Sequence, residues 1–463
     1  MANEISVDVL ILGAGGGGYP AAFRLHAAGR KVVMADPIGN LGGDCLAEGC
    51  VPSKAVREAG FARVAADRFP LFGLSGARPG MDWPSVLRHK DRVQNIRYAQ
   101  HAAEIAKAGL TLLKGRGRII DDHRVEVTTD AGDVTRYHAT NLILATGSTP
   151  HVLPIPGAEL ALTSHDVFRL NADLAFPQRL VAIGGGYIGL ETASMLQNLG
   201  ARATVLEATG EILPGADADL ARFLHTALAR RMDLIVNAKV SAIQRDPQGG
   251  LLVRYESGGE PRTIAADCVL MATGRAAVLP PGVETLGLRA HGGITVDDHL
   301  RTALPHIYAP GDINGRSPLF HSAVCQSWLA AGDILSAGQG IAGMNFAAVP
   351  FTVFTEPEIA WVGLTTAEAA QQGIKTAVTV YDDRTDSRAQ IFGETEGFIK
   401  LVFATATRRL IGAQVAGLDA AHIIAPLALA IAAESTAEAL SAMAFPHPML
   451  TEGINKAARS LRA

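Results

Sequence analysis

Two similar βαβ units and a separate C-terminal region of mixed strands and helices are predicted by three observations in the sequence. First, an apolar run at residues 7–12, with Asp8 its one polar residue, leads into Gly13, Gly15 and Gly18, spaced G-x-G-x-x-G. A helical stretch over 19–28 and a second strand over 31–35, ending at Asp36, follow. Second, the pattern recurs as a strand over 180–183, then Gly184, Gly186 and Gly189, a helix over 190–199 and a strand over 203–206 ending at Glu207. Third, the chain beyond residue 349 reads as strands at 349–354, 375–381, 398–403 and 410–415, with helices at 421–434 and 437–443. The fold class is therefore α/β, with two Rossmann-like dinucleotide-binding domains plus a C-terminal α+β domain.

Each part of the repeated unit has a physical reason. A nearly continuous apolar strand suits a parallel sheet buried on both faces. The glycines let the backbone approach a pyrophosphate, the helix N-terminus binds that phosphate, and the terminal acid binds a ribose hydroxyl. A lone glycine triplet is weak, but the order strand–turn–helix–strand–acid is specific. The spacing from third glycine to acid is the same in both copies.

Between the two units, residues 54–112 are helical and amphipathic, with a looser stretch at 72–82. Residues 112–127 and 134–138 read as short strands of an antiparallel unit. A separate apolar strand at 142–144 runs into Ala145, Thr146 and Gly147. Residues 151–156 hold two prolines and read as a linker, which places a domain boundary there. The second unit closes on a strand at 269–271, followed by Ala272, Thr273, Gly274 and Arg275. A short strand at 306–309 then runs into Gly311 and Asp312, and a helix follows over 321–336.

Residues 42–54 read GGDCLAEGCVPSK and carry Cys45 and Cys50. On one ideal helix their Cα atoms would lie roughly 7.5 Å apart along the axis, and a disulfide wants no more than about 7 Å. Gly49 can supply the distortion that closes the pair. A helix starting near Pro52 would direct backbone N–H groups at Cys50 and favour its thiolate, with Lys54 adding a cation. A structural disulfide suits secreted chains, and a structural zinc site wants four ligands where this stretch offers two. Cys268 and Cys325 are isolated and read as ordinary buried residues. Two dinucleotide sites and a dithiol fit one chemistry, because a flavin exchanges electrons with both a nicotinamide and a dithiol. FAD is assigned to the first site, which adjoins the cysteines, and NAD to the second.

Composition bounds the rest. The chain of 463 residues is 48% hydrophobic and 19% charged, with a net charge of −4. Nothing here suggests a nucleic-acid or membrane-surface protein. No basic segment followed by an apolar run opens the chain, and the apolar stretch at 423–433 is too short to span a bilayer. A cytoplasmic protein is expected.

The cysteine segment, both glycine motifs, both Ala-Thr-Gly segments, residues 308–312 (YAPGD) and residues 354–363 (FTEPEIAWVG) occur in the order of one family. The chain resembles the flavin-dependent pyridine nucleotide–disulfide oxidoreductases over essentially its whole length, most of all the members that oxidise dihydrolipoamide. The resemblance implies that Cys45 exchanges with substrate and Cys50 lies against the flavin. Lys54 would pair with Glu191 near the flavin, and Tyr187 would cover the flavin where nicotinamide enters. Asp36 would bind the FAD ribose, Gly117 would approach the adenine end and Asp312 the ribityl chain. Thr146, Gly147 and Gly274 fall in the matched cofactor-binding segments. Residues 445–452 (FPHPMLTE) resemble the acid–base segment, which makes His447 the acid–base and Glu452 its orienting carboxylate.

The same resemblance implies a first FAD part at 1–150, an NAD domain at 151–275, a second FAD part at 276–345 and a dimerisation domain at 346–463. It also implies a homodimer and a dihydrolipoyl dehydrogenase activity with FAD and NAD. The substrate would ride on a lipoyl-bearing carrier protein or 2-oxoacid dehydrogenase complex. No metal is expected. Asp44, Ala47, Glu48, Phe445 and Met449 depart from the usual residues of this family. Asp44, beside Cys45, is expected to raise that thiol's pKa. The alternative activity is NAD(P)H-dependent reduction of another small disulfide, in the manner of glutathione reductase. Against it, Glu207 is followed by no arginine for a 2′-phosphate.

Overall fold

A computed structural model describes residues 4–290 and 292–461. β1 (Glu4–Leu12), α1 (Tyr19–Ala27) and β2 (Val32–Asp36) form the first βαβ unit, with the strands parallel and Val9 opposite Val32. Val9, Leu10 and Ile11 are fully buried, which explains the apolar run; Asp8 interrupts it, half-buried and accepting from the Lys31 N–H at 2.7 Å. α2 (Gly43–Ala47) and α3 (Cys50–Ala65) carry the two cysteines on successive helices rather than on one. α4 (Trp83–Ala108) then leads to β3 (Thr111–Ile119), β4 (Arg124–Thr129) and β5 (Val134–Leu144).

The structure joins the two strands expected at 134–138 and 142–144 into the single strand β5. Its partners change along its length. It pairs in parallel with β1 from Glu4↔Arg136 to Leu12↔Leu144, but with antiparallel β4 only through its first half. The first half is half-solvated and alternates, whereas Leu142, Ile143 and Leu144 are fully buried. One strand thus carries two hydropathy patterns, and the change of environment reads as a break.

The second unit opens with β6 (Ser148–Pro150) and α5 (Ser164–Phe168). β7 (Arg179–Ile183), α6 (Tyr187–Leu199), β8 (Arg202–Leu206), α7 (Ala218–Ala229) and β9 (Asp233–Ile235) follow. β10 (Ala238–Arg245), β11 (Leu251–Ser257) and β12 (Glu260–Ala266) form an antiparallel sheet that the sequence reading does not anticipate. β13 (Cys268–Met271) completes a parallel sheet in the order β13-β7-β8-β9.

β14 (Arg275–Ala277) pairs with β6, and β15 (Arg289–Ala290) with β16 (Gly293–Ile294). The chain then returns to its first sheet, where β17 (Ile307–Tyr308) adds to β5. α8 (Phe320–Leu335) lies against α1, with Ser327 Oγ accepting from the Ala21 N–H at 2.9 Å.

The last region comprises β18 (Phe351–Val353), β19 (Ile359–Gly363), α9 (Thr366–Gln371), β20 (Thr376–Asp382) and α10 (Ser387–Phe392). β21 (Phe398–Ala404), β22 (Leu410–Ala416), α11 (Ala420–Ala432), α12 (Ala437–Ala442) and α13 (Glu452–Arg459) complete it. Its antiparallel sheet has the order β18-β19-β22-β21-β20. β19, α9, α10 and α13 are additional to the expected elements. Among the described residues no helix is long and apolar enough to cross a membrane.

The two βαβ units share one close contact. A methyl on Gly18 would lie 2.0 Å from the Gly13 carbonyl oxygen, and a methyl on Gly189 would lie 2.1 Å from that of Gly184. Helix and loop can pack so tightly only without a side chain there. Gly186 has no atom within 4 Å of the place where a methyl would stand. We therefore expect Gly18→Ala and Gly189→Ala each to cost about 1–3 kcal/mol. Gly186→Ala should stay within about 0.5 kcal/mol. Denaturant melts of the three variants without added nucleotide check this; equal losses would contradict it.

Candidate active site

A cavity of about 690 Å³ lies between the first nucleotide unit, the cysteine helices and the last region. Asp36, Arg116 and Gly117 line one end. Gly13, Gly15, Thr146 and Gly147 line its course, and Cys45, Cys50, Lys54, Glu191, Tyr187 and Asp312 surround the other end. A second cavity of about 280 Å³ adjoins it across Tyr187, Ser148, Arg275 and Asp312, and reaches Gly186 and Gly274.

Both nucleotide loops have the form an anion needs. α1 and α6 start at Gly18 and Gly186 with no side-chain cap, whereas α7 and α9 are capped by Asp217 and Thr365. Uncapped N–H groups opening on a cavity suit a pyrophosphate. Asp36 braces its loop, accepting from the N–H groups of Ala14 and Ile38 at 2.8 Å and Gly39 at 3.2 Å. Burial pushes its pKa up, and these bonds oppose the shift. Glu207 does the same in the second unit, accepting from Gly185 N at 2.6 Å and Thr209 N at 2.7 Å. Gly18, Gly184 and Gly189 shape the loops from behind rather than line a cavity. The long first cavity, with its acid, bare helix start and thiols in sequence, fits FAD; the second fits the nicotinamide half of a dinucleotide.

Gly49 sits at the break between α2 and α3. A methyl on it would stand 3.0 Å from the Asp44 carbonyl oxygen and 3.4 Å from Cys45 Cα, so the turn folds directly back on the first cysteine. All four cysteines are free thiols; Cys268 is only half-buried and Cys325, on α8, is exposed, so the burial expected of these two is not found. The hydrogen bond that Cys45 gives Cys50 pulls the Cys50 thiol below its ordinary value; burial opposes this and Lys54 assists it. The same bond, then burial, pushes the Cys45 thiol well up. The expected influence of Asp44 is not among the leading causes of that shift. Its carboxylate is engaged by the Arg275 guanidinium, which removes it as a free charge beside the thiol.

Residues the sequence reading passed over hold this segment. Gln94 on α4 donates to the carbonyls of Leu46 at 3.0 Å and Ala47 at 2.8 Å, and the buried Lys90 donates to Gln94 Oε1 at 3.0 Å. His101 bonds to the Leu41 carbonyl at 3.0 Å. Lys90, Gln94 and His101 lie buried on one face of α4, and no sequence signal sets them apart from the helix's solvated polar residues. Lys54 Nζ donates to Glu191 Oε2 at 2.6 Å, and Glu191 Oε1 accepts from the Phe354 N–H at 2.9 Å.

His447 stands apart. It does not line the cysteine cavity of its own chain. Its side chain is 70% exposed, and its Nδ1 lies 2.9 Å from Glu452 Oε2. Burial acts to raise the Glu452 carboxyl, but the His447 bond, the Met449 N–H and Lys456 together hold it below its ordinary value. The structure thus joins His447 with Glu452, and Cys45 with Cys50, Lys54 and Glu191, as two separate groups.

The opposite shifts of the two thiols can be read directly. In the reduced protein with Cys268 and Cys325 replaced by serine, ultraviolet thiolate absorbance should titrate in two steps, one below and one above an ordinary thiol. Cys50→Ser should remove the lower step, and Lys54→Met should move it up by withdrawing a cation. A lower step that survives in Cys50→Ser would overturn this assignment.

Comparison with known proteins agrees with this geometry. Residues 7–327 match the pyridine nucleotide-disulphide oxidoreductase family, and residues 349–458 match its dimerisation domain. The chain is 34% identical over 458 residues to a dihydrolipoyl dehydrogenase of Bacillus subtilis, covering 97% of this chain and 95% of that one. It is also 34% identical to one of Geobacillus stearothermophilus, covering 97% and 94%. Among solved structures, LpdA from Mycobacterium tuberculosis is similar with a TM-score of 0.89 at 29% identity, covering 99% of this chain and 100% of that one. A Cu(II) complex of the HOCl-induced flavoprotein disulfide reductase RclA from Escherichia coli gives 0.85 at 26%, with the same coverage. The chain belongs to the pyridine nucleotide-disulphide oxidoreductase family.

Proposed function

We propose that the protein oxidises dihydrolipoamide, carried on a lipoyl-bearing protein, to lipoamide, with FAD as resident cofactor and NAD as acceptor. One observation carries this reading most directly: a single cavity holds a nucleotide loop and a polarised dithiol, and it abuts a second nucleotide pocket at Tyr187. Relatives at 34% identity over nearly the full length carry the name dihydrolipoyl dehydrogenase. FAD, when bound, supplies a two-electron relay between a dithiol and a nicotinamide. Asp36, Gly117, the Gly13 loop, Thr146, Gly147, Lys54 and Asp312 would hold it. Gly184, Gly186, Gly189, Glu207 and Gly274 would frame the NAD site.

The thiol chemistry follows from the chain's own electrostatics. In the disulfide form of Cys45 and Cys50, a substrate thiolate attacks Cys45 Sγ and forms a mixed disulfide. Cys50 leaves as thiolate. It is the better leaving group because its pKa is the lower of the two. The second substrate thiol then attacks the substrate sulfur joined to Cys45. This releases cyclic lipoamide and leaves the protein as dithiol. Each attack needs a proton removed from a thiol whose unperturbed pKa is about 8.5. We assign that task to the partner subunit's His447, with the ring oriented by Glu452. The homodimer would then complete two sites, and a cytoplasmic location fits a thiol kept reduced.

The direct test is a steady-state assay with NAD and dihydrolipoamide beside NADPH and glutathione disulfide. The first pair should turn over. NAD should exceed NADP in kcat/KM by at least about tenfold, because the acid that ends the second strand of a nucleotide unit, here Glu207, would repel a 2′-phosphate. Turnover with the second pair alone would favour the reductase reading.

His447→Gln should lower dithiol oxidation by roughly 10²–10⁴-fold, the range for a lost acid–base. NADH oxidation by artificial acceptors should change little. Inactive Cys45→Ser mixed with inactive His447→Gln should regain activity through one intact composite site. Mixed dimers that form and stay inactive would refute the shared site.

A further inference from the structure

We propose that Asp44 is a positioning residue. Through Arg275 it sets the charge on the wall between the two cavities, and thereby the balance between oxidised and reduced nicotinamide bound behind Tyr187. This rests on the reading of the second cavity as the nicotinamide site.

Arg275, on β14, lines both cavities. Its Nη2 donates to the Asp44 carboxylate and, at 2.7 Å, to the Ser148 carbonyl. Its Nε donates to Ser148 Oγ at 2.7 Å, and Ser148 Oγ donates to Asp312 Oδ2 at 2.6 Å. Four side chains from α2, β14, β6 and the turn after β17 are thus linked across the wall. Its charge is one guanidinium set between two carboxylates, and the guanidinium is largely shielded from water, at 16% exposure.

The charge of this wall matters to one part of a dinucleotide. The oxidised nicotinamide ring is a cation and the reduced ring is neutral, whereas the pyrophosphate and adenosine are the same in both. A negative charge in the wall favours the oxidised form selectively, and an unbalanced Arg275 would disfavour it. Asp44 supplies that negative charge from the segment that carries the thiols.

The groups that face Asp44 are Arg275, Glu48 and Asp312, with Cys45 next in the chain; Glu48 is itself paired with His165. Although 44% of its side-chain surface stays exposed, desolvation, opposed by Arg275 and reinforced by Glu48 and Asp312, pushes its carboxyl up to about 6. Protonation below that pH removes the negative charge and leaves Arg275 less compensated. Oxidised nicotinamide should therefore be held less tightly there.

The test uses the oxidised holoenzyme and equilibrium binding of two ligands that do not react with it, NAD and the neutral analogue tetrahydro-NAD. In the wild type, the ratio of the NAD dissociation constant to that of the analogue should rise about threefold to tenfold as pH falls through the Asp44 range. Asp44→Asn should show the raised ratio already near neutral pH and little further change. Asp44→Thr should behave as Asp44→Asn, and Asp44→Glu should restore the wild-type ratio. A flat wild-type ratio would overturn the proposal without any variant. So would a pH dependence that persists in Asp44→Asn and vanishes in Glu48→Gln. If neither ligand binds, the nicotinamide reading of the cavity fails first and takes the role of Asp44 with it.

Discussion

The carboxylate of Glu191 is the point on which the site depends. One of its oxygens takes the Lys54 ammonium from the helix that begins at Cys50. The other takes the Phe354 N–H from the end of β18. Glu191 itself lies on the helix that opens the second nucleotide loop, and its side chain is 8% exposed. Three segments far apart in sequence therefore share one nearly buried charge. A carboxylate so placed is costly unless every oxygen is satisfied. Here both are, so the thiol helix, the second nucleotide unit and the last sheet are fixed against one another. Phe354 adds its ring, with the Lys54 ammonium 4.5 Å from its centroid.

The sequence made the two nucleotide units legible because both rest on local rules. A close backbone contact demands glycine, a buried strand demands apolar residues, and an acid must end the second strand. Each is written in consecutive residues. Cys45, Cys50 and Gly49 were legible for the same reason. What stayed hidden depends on partners distant in the chain. Gln94 and Lys90 read as the polar side of an amphipathic helix, yet both are buried against the carbonyls they serve. Arg275 reads as the residue after a glycine turn, and only the antiparallel pairing of β14 with β6 brings it to Ser148 and Asp44.

β5 shows the complementary failure. Its residues follow two patterns because its neighbours differ along its length, and a reading based on pattern divides what the backbone joins. α13 is short, and its apolar contacts are few and small, with Ile454, Ala457 and Ala458 buried. Leu450, Ile454, Ala457 and Ala458 are buried at helical spacing, so a short apolar stripe was present in the sequence and was passed over. Yet this helix begins at Glu452 and so presents the carboxylate that holds His447.

Glu207 illustrates how recognition and architecture can reside in one side chain. Its oxygens anchor Gly185 in the glycine loop and Thr209 in the turn beyond β8, by backbone bonds on both sides and by the Thr209 hydroxyl at 2.9 Å. The acid proposed to bind the ribose is thus also the brace of the surface it would bind with. Redesign of nucleotide choice at this position would therefore meet a coupled problem. Exchanging the acid for a neutral or basic residue alters the electrostatic filter, but it also releases two loops that must stay ordered for either nucleotide to dock. Compensation would have to come from new donors and acceptors in the 207–211 turn, so the path from one cofactor to the other runs through several positions at once.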